Sequence, residues 1–208
     1  MWIKTVAPEF LSKRLTATNI KQYLQKVYDM GTEIKEINRK QLSVPIFLQH
    51  NYGQDGDCTL TSILTLTKYY NKNIDTQEVY DYIEKIAKKY LYNGNKYGTI
   101  PFFNKAIVKQ VFQHFKIEKS VYTRYIKGMG FQLESILDQL DNNIPVMISM
   151  FRDGRRYYDS HSITIIGYVQ YRDEYGQIAT MLMVHDNWFG SYSFLDYQPI
   201  CAFSQICY

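Results

Sequence analysis

With 208 residues, 24 basic and 20 acidic side chains and a net charge of +4, the chain is long enough for a sizeable core and lacks the charge clustering of a nucleic-acid binder. Twenty tyrosines and eleven phenylalanines can build that core or line a peptide groove, and three cysteines are too few for a disulfide framework. No apolar run approaches eighteen residues and no basic n-region precedes an apolar h-region, so the expectation is no membrane span, in a cytoplasmic or a trimmed secreted protein.

Taken in chain order, residues 16–38 read as a helix, because Ile20, Tyr23, Leu24, Val27, Tyr28 and Ile34 recur near helical spacing, with Gly31 as a possible break. Residues 1–43 are expected to form a helical segment packed on the core, or alternatively an inhibitory segment across a cleft, and residues 44–208 the main domain. The β-branched and aromatic run 44–48 suggests a strand, and a polar, glycine-containing loop follows it. Cys58 then opens a helix in which Leu60, Ile63, Leu64, Leu66 and Tyr70 form the buried stripe.

Asp75 and Glu78 make a capping-box-like start for a third helix, with Val79, Tyr80, Ile83 and Ile86 on its apolar face. Lys85, Lys88 and Lys89 read as the solvated face of that helix. A loop is expected over 91–99, a helix from Pro101 to Phe115, a short strand over 120–125 and a helix over 132–142. From Ile144 the period changes to that of strands: 144–151, then 161–167 beginning with His161, then 179–186 ending on Asp186, with a hairpin connection over 172–176. Cys201 and Cys207 lie in an apolar terminal run and read as small buried hydrophobes. Helices first and an antiparallel sheet after is an α+β layout.

The chemistry concentrates at three points. A cysteine at a helix N-terminus is favoured as the nucleophilic thiolate by backbone N–H groups and the helix dipole. Sequential strands usually pair, so His161 at the start of one and Asp186 at the end of the next can meet as base and orienting group. Asp55 and Asp57 near the thiol would oppose its ionisation, so an imidazolium must outweigh them. His185 falls on the opposite strand face from Asp186 and reads as structural, His50 as an exposed loop residue, and His114 has no ligand-spaced partner. No Cys-x-x-Cys or His-x-x-x-His is present, so neither a metal nor another cofactor is expected.

Val44-Pro45, Gln49, Cys58, Thr61-Ser62 and Tyr69-Tyr70, then His161 to Gly167-Tyr168, then Asp186-Asn187-Trp188, resemble in type and order the papain-like cysteine peptidases. The resemblance is nearest to their bacterial branch that includes streptopain and the peptidases of double-glycine bacteriocin leaders. It covers about residues 44–188 and implies a papain-like α+β fold, with the Cys helix packed on a sheet carrying the His and Asp. It also implies Cys58 as nucleophile, His161 as general base and acid, Asp186 as orienting group, Gln49 in the oxyanion hole and Trp188 as a cover over the His161–Asp186 contact. The sequence departs from the family by placing Gln49 nine residues before Cys58 instead of about six, which leaves Gln54 as the alternative, and by carrying Thr59 where many members have Gly. The implied function is a cysteine hydrolase acting on a peptide or isopeptide bond of a peptide or protein substrate. Another acyl transfer (transglutaminase-like, deamidase or peptidoglycan amidase) and a non-catalytic peptide-binding domain are the alternatives.

Overall fold

A computed structural model describes residues 10, 13–51, 56–94, 96, 98–126, 133–152, 157–197 and 204–207. A helical group packs beside an antiparallel sheet. Helices α1 (Ile20–Tyr28), α2 (Cys58–Tyr70), α3 (Thr76–Lys89), α4 (Asn104–His114) and α5 (Leu133–Asp141) accompany strands β1 (Lys35–Gln41), β2 (Thr123–Ile126), β3 (Val146–Arg152), β4 (Asp159–Arg172), β5 (Ile178–His185), β6 (Ser193–Leu195) and β7 (Ser204–Cys207). The sheet order is β2-β7-β3-β4-β5-β6, and β1 pairs with β4.

Two apolar clusters hold the layers together. One joins α1, α5 and the sheet through Tyr23, Leu24, Leu140, Ile148, Ile163, Val184 and their neighbours. The other joins α2, α3 and α4 through Leu60, Ile63, Leu64, Val79, Ile83, Ile107 and Val111, and Met147 of β3 reaches into it. Helix α2 is buried all round from Thr59 to Thr67, and two of its threonines bond back to the preceding turn: Thr61 Oγ1 donates to Asp57 O at 3.0 Å and Thr67 Oγ1 to Ile63 O at 2.8 Å, while Thr65 Oγ1 has no partner among the described residues. The lysines of α3 are exposed as expected, with Lys88 paired to Glu84 one turn back.

The expected 16–38 helix is shorter than its periodicity suggested. It stops at Tyr28, where Asp29 takes a left-handed conformation with φ 55°, and the chain then enters β1. That strand carries Lys, Glu, Asn, Arg and Gln and is mostly exposed, so it has no apolar alternation to reveal it. It is held by backbone pairing to β4, and the pairing needs Gly167, where a Cβ would lie 2.1 Å from the Lys40 carbonyl oxygen. Residues 44–48, expected as a strand, run without ladder pairing into a short 3-10 turn at Gln49–Asn51. The 3-residue β6 was not anticipated. Cys207 ends β7, and Cys201, read with it as a small buried hydrophobe, lies outside the described residues.

Candidate active site

The helical side of the site is the start of α2. Asp57 occupies the N-cap position yet makes no side-chain capping bond. Its buried carboxylate instead accepts from Tyr80 Oη at 2.5 Å and from Tyr92 Oη. The carboxylate is therefore turned to α3 and the loop after it, and the first-turn N–H groups beside Cys58 keep their donor capacity. The approach of the 56–57 turn to the 93–98 loop requires two glycines: Gly56 N–H donates to Gly94 O at 3.2 Å, and Gly98, at φ +67°, sits where a Cβ would meet the Gly56 oxygen at 2.5 Å.

The sheet side is the first part of β4. His161 is 4% exposed, and its Nε2 lies 2.7 Å from the Asp186 backbone oxygen. A carbonyl oxygen only accepts, so Nε2 carries the hydrogen and Nδ1 is left for the thiol. The Trp188 ring stacks on the imidazole at 4.1 Å between centroids, and the Tyr158 ring lies nearly parallel to it at 5.6 Å. Trp188 thus packs on His161, and its backbone N–H donates to Asp186 Oδ1 at 3.2 Å.

These surroundings pull the Cys58 thiol in two directions. Burial pushes its pKa up, while the hydrogen bond from His161, the charge of His161, and the N–H and hydroxyl of Ser162 bring it down. The net result lies below the ordinary thiol value. Asp55 falls outside the described residues. The Ser162 hydroxyl is fixed by Thr59 Oγ1 and Ser149 Oγ, each at 2.7 Å, and these in turn touch Thr99 and Asn104. Thr59, noted as a departure from Gly, therefore belongs to this hydroxyl chain.

His161, Cys58 and Asp186 are brought together, but through a different contact from the expected one. His161 meets the main-chain carbonyl of Asp186, not its carboxylate. Asp186 follows directly after β5 and is fully buried. Its carboxylate accepts from Arg14 Nε at 3.0 Å, Ser193 Oγ at 3.2 Å, Tyr158 Oη at 3.4 Å and the N–H groups of Trp188 and Phe189 at 3.2 Å each. Gln49 is buried, and its backbone N–H donates to Asn187 O at 3.0 Å, which ties the 3-10 turn to the Asp186 segment. Gln54 lies outside the described residues.

Asn187 was read only as part of a motif, yet it braces the site. At φ 63°, its Nδ2 lies 2.9–3.0 Å from Cys58 O, Ser62 Oγ and Ser162 O, joining the start of α2 to β4. Its place in the middle of Asp186-Asn187-Trp188 was the available signal. Arg14 and Ser162 carried none, because their partners are far away in sequence. His185 is buried on the other side of the strand end, bonded to the Val44 backbone, with its pKa lowered mainly by burial, and it takes no part in the site. His50 is exposed, and His114 stacks on Tyr82 at 3.7 Å. Among the described residues no group of three His, Cys, Asp or Glu could hold a metal ion, and no helix is long and apolar enough to cross a membrane.

Comparison with known proteins bears on the family and the fold. The family model described as Peptidase_C39 like family matches residues 41–201. Seven solved chains match in structure. One of them, described as a C39-like peptidase from Bacillus anthracis, has a TM-score of 0.53 and 15% identity over 83% of this chain and 98% of its own. No curated protein matches the sequence.

Proposed function

The chain belongs to the Peptidase_C39 like family and has the papain-like α+β fold, and from that premise we propose that it is a cysteine peptidase with Cys58 as nucleophile and His161 as general base and acid. The observation that carries this reading is the placement of Cys58, first residue of a helix whose cap side chain points elsewhere, against His161, whose ring is fixed by the Asp186 carbonyl and whose hydrogen bond and charge act to lower the thiol pKa. Cleavage begins when the Cys58 thiolate attacks the peptide carbonyl carbon. The Cys58 N–H and the Gln49 side-chain amide receive the developing oxyanion; the tie between Gln49 and Asn187 supports this placement of Gln49. His161 then gives its proton to the leaving amine as the C–N bond breaks, leaving a thioester on Cys58. Water, deprotonated by His161, attacks the thioester carbonyl. The acid product leaves and the thiolate–imidazolium pair is restored. Asp186 orients the ring through its carbonyl, and Trp188 shields that contact.

The substrate class we propose is a peptide or protein cut at a peptide or isopeptide bond. The test is the rate of Cys58 alkylation by iodoacetamide against pH, with Cys201 and Cys207 replaced by Ser. A reactive plateau below pH 7 is expected, with a loss of about tenfold or more at pH 6 in His161→Ala. A single titration at the ordinary thiol value, the same in both proteins, would remove the catalytic reading and leave a peptide-binding domain. With the plateau in hand, a peptide-library screen against Cys58→Ala separates peptide hydrolysis from other acyl transfers.

A further inference from the structure

The sheet side of the site includes one charged group from outside the segment matched by the family. Arg14 precedes residue 41, where the match begins. Its Nε donates to Asp186 Oδ2 at 3.0 Å and its Nη2 to Ser191 O at 2.6 Å, Nη1 lies 3.4 Å from Ser191 Oγ, and the guanidinium sits 4.4 Å over the Phe189 ring. The backbone that delivers it is also fixed. Asn19 Nδ2 donates to Arg14 O at 3.0 Å, and Phe194 N–H donates to Leu15 O at 2.9 Å in an isolated bridge beside β6. The Arg14 side chain is 17% exposed and that of Asp186 fully buried, so solvent screens the pair weakly.

We infer that Arg14 is a positioning residue of the site: it holds and neutralises the Asp186 carboxylate, so that the His161 ring is oriented by the neutral carbonyl of Asp186 and not by its anion. The inference rests on the Cys58–His161 reading above. A carboxylate acceptor stabilises an imidazolium more than a carbonyl does, so Arg14 sets how strongly the ring holds its proton. Among the described residues, the titratable or charged groups around His161 are Cys58 from α2, Tyr158 just before β4, and Asp186 beyond β5 with Arg14 behind it. Asp57 is engaged with Tyr80 and Tyr92, and His185 with Val44.

The experiment is NMR titration of the His161 ring in the full chain carrying Cys58→Ser, which removes the ion-pair partner. Arg14→Met leaves the anion uncompensated and should raise the titration midpoint by about one pH unit. Asp186→Asn leaves the guanidinium uncompensated and should lower it by a similar amount. The double variant should return to the parent value, and Arg14→Lys, which keeps a cation, should stay close to it. Midpoints unchanged in both single variants, with only the melting temperature lowered, would overturn the inference and make Arg14 a structural tie. If Arg14→Met does not fold, Asp186→Asn decides by its own shift. Failure of the peptidase reading is seen separately, as the absence of a His161-dependent alkylation plateau in the chain with Arg14 intact.

Discussion

Two buried aspartates flank the site, one from its helical side and one from its sheet side, and the fold satisfies them in opposite ways. Asp57, beside the thiol, is 1% exposed and rests on tyrosine hydroxyls from α3 and the loop after it. Asp186, beside the imidazole, is fully buried and rests on a guanidinium, two hydroxyls and two backbone N–H groups. Neutral donors disperse a carboxylate's charge without cancelling it, whereas a guanidinium cancels most of its field. The proposed nucleophile therefore has an anion turned away from it, and the proposed base has an anion neutralised beside it. Both arrangements leave the ionisation of the pair to the direct contact between Cys58 and His161.

The contrast breaks most visibly on the sheet side. Asp186→Ala would strand a largely buried guanidinium and lose the anchor of the Trp188 and Phe189 N–H groups, at a cost of about 3 kcal/mol. Arg14→Met should cost less, because the anion keeps its hydroxyl and amide donors. Urea unfolding of the two single variants and the double variant checks this: the double should cost clearly less than the sum. Additive losses would mean that the pair is screened like one on the surface.

On the helical side the sharper test is pH. Burial first and Asp57 second push the Tyr80 hydroxyl far above the usual tyrosine range, and Tyr92 behaves likewise. Below about pH 10 both the folded and the unfolded chain keep these protons, and the stabilisation is fully present. Above it the unfolded chain releases protons that the folded chain retains, so stability falls as pH rises, by about 1.4 kcal/mol per unit for each such tyrosine. Tyr80→Phe should make that alkaline decline shallower by one tyrosine's share. At pH 7 it should cost about 2 kcal/mol, because Asp57 loses a donor. Denaturant unfolding at pH 7, 10 and 11 reads both effects, and an unchanged alkaline slope would place Tyr80 in water with an ordinary pKa.

How much of this was legible in the sequence depended on whether a residue's partner was near in the chain or signalled by pattern. Helix α2 was expected over the same span it occupies, Cys58–Tyr70, because its first residue follows a glycine-containing turn and Leu60, Ile63, Leu64, Leu66 and Tyr70 recur at helical spacing. The β4–β5 hairpin was legible from two apolar runs and a charged connection, and Asp173 N–H does close that turn on Gln177 O at 3.1 Å. Strand β1 was not, since mostly polar, exposed residues paired through the backbone carry no apolar periodicity. The meeting of His161 with Asp186 followed from strand order, but which oxygen of Asp186 it meets depends on Arg14, 172 residues away. Such a contact leaves no mark in spacing, because a lone arginine near the N-terminus looks like any other solvated charge.

The smallest expected effect concerns the two helix starts. Helix α3 begins with Asp75, whose exposed carboxylate accepts from the Glu78 N–H at 2.9 Å, while α2 begins with Asp57, whose carboxylate caps nothing. Asp75→Ala should cost about 1 kcal/mol and Asp75→Asn only a few tenths, since either side chain can accept from that N–H. Thermal unfolding resolves the first, and a loss as large in Asn as in Ala would mean that charge at the helix end matters more there than the cap bond. The comparison explains why α2 departs from the rule that α3 follows. A capping carboxylate at Asp57 would occupy the N–H groups beside Cys58 and bring an anion to the place where the oxyanion is proposed to form. Turning Asp57 onto Tyr80 and Tyr92 keeps its charge satisfied while leaving that end of the helix to the substrate.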